Sequence, residues 1–358
     1  METFKGRILS DEYNNKWNGS GVIDTYGDFF WVQLAINLTG IVGNILVIIS
    51  HFMGDLYMVS VNDFVLALAF SDLIAAILLL PLPKFVEMPQ NFLGKTYCIL
   101  VLQDSLFWIA IKTSVFLMMV IALESAAAVR KPFLYNKIFC SKKYRLLIVL
   151  LIWMVSTASN LYHFFTDRVT DEGECEGIHD NMSINGDAEN NTNTSAAADG
   201  SQEVMISLYV YTVTYIIPLF VMIIAYSLTA IRLRQNMFKM NRRNSVFARA
   251  RHRVIGVVFC DIIVFIVCLT PSEIIFLLDC FGINSDVHLL QTLDGFRDIL
   301  HSVYVCANPI IYTVTNPQFR LILRRLFRRP VDGKTKSTHW APSKQPETSI
   351  NMRSNSTE

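Results

Sequence analysis

Seven stretches of the chain are apolar over at least the roughly 20 residues a helix needs to cross a bilayer: 30–52, 61–83, 101–128, 144–165, 204–231, 254–279 and 288–315. Backbone in hydrocarbon must satisfy its own hydrogen bonds, so segments of this length have to be helical. With 52% apolar and 17% charged residues, the chain carries more apolar surface than one soluble core can bury. The expected fold class is an all-α membrane protein, a bundle of seven transmembrane helices. The start, Met1-Glu2-Thr3-Phe4-Lys5, lacks the apolar centre of a cleaved signal peptide, so the first span is expected to direct insertion and the mature chain to begin near Met1.

Basic residues beside short loops set the orientation. Arg130, Lys131, Lys137, Lys142, Lys143 and Arg145 join spans three and four, and Arg232, Arg234, Lys239, Arg242, Arg243, Arg249, Arg251 and Arg253 join five and six. Both loops are expected in the cytoplasm, where topogenesis and attraction to anionic lipid explain them as well as partner binding does. The segment from Asp167 to Glu203 is acidic and rich in Asn, Ser, Thr and Ala, and should lie outside. The near-neutral net charge of +1 hides this separation. Glycosylation triplets begin at Asn18, Asn181, Asn190 and Asn193, all on the expected outer side. Two more, at Asn37 and Asn355, would be inaccessible in a span or in the cytoplasm.

Two polar features inside the spans need a reason. Asn308-Pro309 interrupts the last span; proline removes one donor and frees a carbonyl, tolerable in lipid only where neighbouring groups satisfy the loosened backbone. The step therefore reads as a packed hinge. Asp72 lies within the second span, where a charge near mid-bilayer costs about 3 kcal/mol, so it should face the bundle and be neutralised by a proton, an ion or hydrogen bonds.

Landmarks recur with one set per span. Gly43-Asn44-Ile45-Leu46-Val47 marks the first, Leu66-Ala67-Leu68-Ala69-Phe70-Ser71-Asp72-Leu73 the second, Trp153 the fourth and Pro218 with Tyr226 the fifth. Phe265 with Pro271 marks the sixth, and Asn308-Pro309-Ile310-Ile311-Tyr312, followed by Asn316-Pro317-Gln318-Phe319-Arg320, the seventh. In this order they resemble the rhodopsin-like (class A) G-protein-coupled receptors from about residue 30 to 328. The resemblance implies a short amphipathic eighth helix on the inner leaflet, a disulfide between Cys98 and Cys175, and heterotrimeric G proteins as partners. It also implies a sodium ion at Asp72 in a cluster with Ser114 and Asn308; a protonated Asp72 in a water network is the alternative. The domains expected are an extracellular N-terminus over 1–29, the helical bundle over 30–316, the amphipathic helix over 317–329 and a disordered cytoplasmic tail over 330–358. That tail offers Ser and Thr residues to receptor kinases and arrestin, and no cysteine follows the amphipathic helix to carry a palmitoyl anchor. The expected location is the plasma membrane, multi-pass, with the N-terminus outside.

The departures are as informative. Where relatives carry an acid followed by Arg, the chain reads Leu123-Glu124-Ser125-Ala126, and Ser125 offers no guanidinium fork. Glu124 keeps the family spacing of eight residues before Pro132. Arg251 stands near the place of an acid that would lock the inactive state, and Leu269 replaces a tryptophan two residues before Pro271. Asp261, ten residues before Pro271, is a carboxylate where receptors place an aliphatic residue. It either weakens the apolar barrier to the cytoplasm, favouring an active packing, or pairs with a basic residue of the same chain.

Ser302 stands where retinal-binding relatives carry lysine, and Phe107 where amine receptors carry Asp. The Cys98 to Glu124 interval is two residues longer than the common spacing, which leaves Asp104 within about a turn of the amine-binding place. The ligand-site candidates are Asp104, Phe107, Lys112, Glu273, Asp294, Asp298 and His301, with His163, Asp279 and Arg297 nearby. Lys112 and Glu273 are of opposite charge and might simply pair; Arg297 would then remain in water at a helix end. The switch candidates are Glu124, Ser125, Tyr226, Asp261, Phe265, Leu269, Pro271, Pro309 and Tyr312. No metal-ligand spacing, phosphate-binding glycine loop or nucleic-acid fold occurs, so neither an enzyme nor a nucleic-acid binder is expected. The sequence reads as a receptor passing an extracellular signal, a peptide before a monoamine or other small cation, to heterotrimeric G proteins. A non-signalling decoy or scavenger receptor of the same fold is the alternative, and the lost arginine is its argument.

Overall fold

The helices run almost without interruption through the apolar stretches. The computed structural model of the protein describes residues 23–53, 61–81, 89–161, 168–169, 175–176, 204–205, 208–239, 245–280, 287–315, 319–320 and 323–324. Spanning helices are α1 (Ile23–Met53), α2 (Val61–Leu78), α4 (Ser105–Arg130), α6 (Lys142–Ala158), α7 (Ile217–Lys239), α8 (Ser245–Cys280) and α9 (Val287–Thr315). Short helices α3 (Phe92–Tyr97) and α5 (Pro132–Ile138) flank α4 on its two sides, and β1 (Arg168–Val169) pairs antiparallel with β2 (Cys175–Glu176). By length and hydropathy alone, Phe30–Phe52, Ser105–Arg130 and Leu208–Arg232 qualify as membrane spans among the described residues. The other four pack against them: α9 lies on α1 and α8, α2 on α1, and α4 is central, touching α2, α6, α7 and α8.

The distribution of side chains is that of a lipid-embedded bundle. Phe64, Leu68, Leu117, Phe265, Tyr304 and Val305 form the centre of one buried cluster. Ile77, Leu150, Ile224, Val267 and Val314 point outward and are exposed, an apolar exterior that suits hydrocarbon and not water. Asn37 is fully buried, its Nδ2 donating to the Leu79 carbonyl at 2.8 Å, so the glycosylation triplet there is inaccessible as expected.

Several boundaries differ from the sequence expectation, each for a local reason. The third span does not run unbroken from residue 101: a π-helical turn, Cys98–Leu102, precedes α4, and Asp104 between them has φ 51°, in the left-handed region. The two surplus residues after Cys98 are absorbed there, and Asp tolerates that conformation better than most residues. The fourth span ends at Ala158 and not near 165, because Ser159 Oγ and Asn160 Nδ2 both donate to the Ser156 carbonyl at 2.8 Å and satisfy an acceptor at the helix end. The sixth helix starts at Ser245, nine residues ahead of the expected 254. Of the expected eighth helix, Phe319 and Leu323 are described; Phe319 packs into a buried cluster with Val47, Ala69 and Tyr312. The N-terminal segment through residue 22, the tail from 325 and the glycosylation triplets at Asn18, Asn181, Asn190 and Asn193 lie outside the described residues.

The proline hinge shows how the backbone of α9 is repaired. Pro309 leaves the carbonyl four residues back, that of Val305, without its helical donor. Asn44 Nδ2 on α1 donates to that carbonyl at 3.1 Å and to Gly40 O at 3.0 Å. Gly43 makes the approach feasible: a Cβ there would stand 2.8 Å from Pro309 Cβ. Gly43→Val should cost about 1–3 kcal/mol by overpacking, and Asn44→Leu about 1–3 kcal/mol by orphaning the Val305 carbonyl. Thermal unfolding of the detergent-purified protein measures both, with Val42→Leu on the exposed face of α1 expected to be neutral.

Candidate functional site

Polar residues gather at three levels of the bundle. At the centre, Asp72 on α2 is fully buried and both its oxygens are engaged: Ser114 Oγ on α4 donates to Oδ1 at 2.7 Å, and Asn308 Nδ2 on α9 donates to Oδ2 at 2.5 Å. The Tyr304 hydroxyl lies 3.2 Å from Ser114 Oγ. Asn44 Oδ1 on α1 is buried with no hydrogen bond among the described residues. Carboxylate, hydroxyl and amide oxygens form the donor set that a small hard cation takes, and a buried unsatisfied oxygen is where an ion or water is expected. The residues present therefore fit a sodium ion chemically.

Asp261 lies below this cluster on α8, 5% exposed, with Oδ1 making no hydrogen bond. The expected alternative, a basic residue paired with it, does not occur among the described residues. The charge that reaches Asp261 is instead that of another acid, Asp72. Tyr312 is buried beside Val47 and Ala69, and its hydroxyl makes no hydrogen bond among the described residues. Phe265 stacks on Tyr215 at 5.3 Å, Leu269 and Pro271 continue α8 above it, and Tyr226 stacks on Phe259 at 5.4 Å.

In the outer half, the structure brings Phe107 and His301 together. The buried imidazole lies 5.3 Å from the Phe107 ring and 5.4 Å from that of Trp108, with Nε2 making no hydrogen bond among the described residues. Lys112 is also buried, but it does not pair with Glu273. Its Nζ donates to Asn160 Oδ1 at 2.9 Å, an acceptor that the early end of α6 brings beside α4. Glu273 on α8 stays half-buried and acts on Lys112 only through its field. Next to it, a π-helical turn, Thr212–Ile216, turns Tyr215 toward α8, where its hydroxyl lies 2.5 Å from Thr270 Oγ1. Asp104 sits at the break before α4, off the regular helical face. Arg297 is not at a helix end: it lies within α9, with Nε 3.9 Å from Asp298 Oδ1. Asp294 is on the same helix; its side chain, those of Asp279 and Arg251, and all of His163 lie outside the described residues. The Cys98–Cys175 disulfide forms, tying β2 to the outer end of α4.

At the cytoplasmic end, Glu124 and Ser125 are buried. Ser125 Oγ donates back to the Ile121 carbonyl at 2.9 Å, so it stays within its own helix. The buried guanidinium at this level is that of Arg145, which sequence reasoning assigned only to topology. Its Nε donates to Asp63 Oδ2 at 2.6 Å and its Nη1 to the Phe139 carbonyl at 2.8 Å, while His51 Nε2 lies 3.9 Å from Asp63 Oδ1. This network joins α1, α2 and α6 to the turn after α5. The signal that pointed to it was Asp63, an acid in the first turn of an apolar helix, which needs a partner.

A seven-helix bundle with a disulfide over its outer end, a proline hinge and a buried acid in its centre is thus in place. The sequence profile of the seven-transmembrane receptors of the rhodopsin family matches residues 43–312. The chain belongs to that family. It is similar to the substance-K receptor of Mus musculus, 24% identical over 82% of this chain and 74% of that one. It is similar also to the melatonin receptor type 1B-B of Danio rerio, 25% identical over 81% and 78% of the two chains. The QRFP-like peptide receptor of Branchiostoma floridae is 24% identical over 80% and 73%. The protein is accordingly a multi-pass membrane receptor of the G-protein-coupled type and not an enzyme.

Removing the acceptor of Lys112 tests the outer site. Asn160→Ala should destabilise the receptor by about 1–3 kcal/mol through an amine left buried without a partner. Lys112→Met in the same background should recover most of that loss, and a double-mutant cycle on thermal unfolding reads the coupling.

Proposed function

We propose that the receptor recognises a cationic peptide at its outer face and passes the signal to heterotrimeric G proteins. The observation that carries the peptide reading is charge: between Asp167 and Glu203 there are ten acidic residues and one arginine. The Cys98–Cys175 bond tethers that segment over the bundle mouth. Such a field raises the encounter rate of a basic ligand. Below it, Asp298 is partly engaged by Arg297, whereas the Glu273 carboxylate has no hydrogen-bond donor among the described residues and takes the ligand's cationic group beside Tyr211 and Tyr215. Phe107, Trp108 and His301 supply an aromatic wall, and Asp104 and Asp294 flank the entrance. Some relatives carry peptide-receptor names, as the QRFP-like peptide receptor does. The same carboxylate suits a monoamine or other small cation, the second reading, and the melatonin receptor relative keeps small ligands in view.

In this reading the N-terminus is outside, residues 30–316 form the signalling bundle, and the basic amphipathic segment 317–329 lies on the inner leaflet ahead of a phosphorylatable tail that arrestin and receptor kinases engage. A sodium ion would be held by Asp72 and the Ser114 hydroxyl, supplying the counter-charge that lets Asp72 stay ionised in the bundle. Ligand binding shifts a two-packing equilibrium by its difference in affinity for the two. Asp261 favours the packing in which water reaches it, because it has no basic partner in this one. The decoy reading rests on Ser125 alone.

The test is basal G-protein activation across subtypes at matched surface expression. The unmodified chain should signal, Asp261→Val should lower that signal severalfold, and Ser125→Arg should leave it present. Silence of the unmodified chain with signal restored by Ser125→Arg would establish the decoy reading. For the ligand, Glu273→Gln should weaken activation by basic peptides at least tenfold, the loss expected when a buried charge pair is broken. Unchanged response to them together with lost response to amines would select the second reading.

A further inference from the structure

The cytoplasmic ends of α4 and α7 enclose a cleft of about 260 Å³ lined by Arg130, Leu228, Ile231, Arg232 and Gln235. Arg130 is no stand-in for the arginine missing at Ser125. Five residues farther along a helix, it points roughly 140° away, out of the bundle interior and toward α7. Arg130 and Arg232 are both exposed, and neither has an acidic partner among the described residues; Arg232 Nη1 reaches only Gln235 Oε1, at 3.4 Å.

The surrounding sequence holds no counter-charge either. No Asp or Glu occurs from Ser125 to Thr166 or from Val204 to Cys260, while these two stretches carry six and eight Lys or Arg residues. Two guanidinium forks over one small cleft therefore require an anion from outside the chain. The apolar floor says where it comes from: Ile231 is exposed and Leu228 half-buried on a helix that crosses the membrane, so the cleft opens at the level of the inner leaflet.

We propose that this cleft is a lipid site. It binds the phosphorylated headgroup of an inner-leaflet phosphoinositide, with phosphate oxygens on Arg130 and Arg232 and acyl chains along Ile231 and Leu228. A phosphomonoester carries close to two negative charges and three acceptor oxygens, and the planar guanidinium meets such oxygens two at a time. Phosphatidylserine is a poorer fit, because its ammonium would face a cleft that contains only cations and one amide. Occupied, the site ties the ends of α4 and α7 together beside the loop helix α5, at the surface a G protein must approach.

The test uses the full chain in phosphatidylcholine nanodiscs with a fluorescent phosphatidylinositol 4,5-bisphosphate as probe. Arg130→Gln/Arg232→Gln should weaken its binding about thirtyfold, from the contribution of each basic residue near an anionic surface. Lys137→Gln/Lys143→Gln removes the same charge from exposed positions outside the cleft and should leave affinity within about a factor of three. Phosphatidylserine should compete poorly at matched charge, and soluble inositol trisphosphate more weakly than the lipid. Equal losses in the two double variants, or equal competition by phosphatidylserine, would reduce the effect to surface charge and overturn the site. Equal competition by the soluble headgroup would overturn the lipid assignment. Unaltered lipid binding with lost G-protein activation in the cleft variant would assign these arginines to an acidic protein partner instead.

Discussion

Repair of the backbone at Pro309 is the constraint on which the rest of the bundle depends. A proline within a membrane helix frees a carbonyl that hydrocarbon cannot hydrate. Here Asn44 supplies the donor, Gly43 the space and Asn308 a bond to Asp72, so one step in α9 fixes the relative positions of α1, α2 and α9. Ser114 extends the same network to α4, the helix that every other part of the signalling path touches. The cluster around Asp72 is therefore structural before it is regulatory. Any ion held there acts on a scaffold already defined by hydrogen bonds.

The outer site follows a different rule. Lys112 and Glu273 have opposite charges and are close enough to feel one another, yet Lys112 is bonded to a neutral amide. Had they formed an ion pair, the cavity would have lost both charges to an internal contact whose net value is small once desolvation is counted. With Asn160 holding the amine, the carboxylate is left to face a ligand. Asn160 can do so only because α6 ends at Ala158, a stop made by Ser159 and Asn160 themselves.

Much of this was legible in the chain before any coordinates. The seven spans, the buried acid and its two partners, and the cysteine pair follow from hydropathy and from landmarks spaced as in relatives. What escaped was local geometry that depends on tertiary contact. The surplus residues after Cys98 were countable, but not that they would form a π-helical turn and a left-handed Asp104. Opposite charge made Lys112 and Glu273 look like partners; only the early end of α6 shows why they are not. Arg145 was read as a topogenic cation because sequence does not show Asp63 and the Phe139 carbonyl arriving on either side of it. Arg297 looked terminal because the helix start, Val287, is ten residues ahead of it and not at it.

The missing arginine also changes meaning once the inner face is seen as a whole. In a bundle where a single guanidinium beside an acid restrains the switch, losing it would leave an acid buried and the restraint gone. In this chain the guanidinium of Arg145 instead holds the turn after α5 to α2, while Ser125 folds back onto Ile121 and contributes nothing across helices. Restraint of the loop and restraint of the switch are thus separated: the first is kept and the second is absent. Asp261 acts in the same direction, since an acid with no basic partner and another acid in reach is most costly in the closed, dry packing. A gap of a few kcal/mol between two packings corresponds to a minor state of about 0.1–10%. Removing a restraint on one side and placing an unmatched carboxylate on the other both narrow that gap, which gives a receptor whose active packing is populated before any ligand arrives.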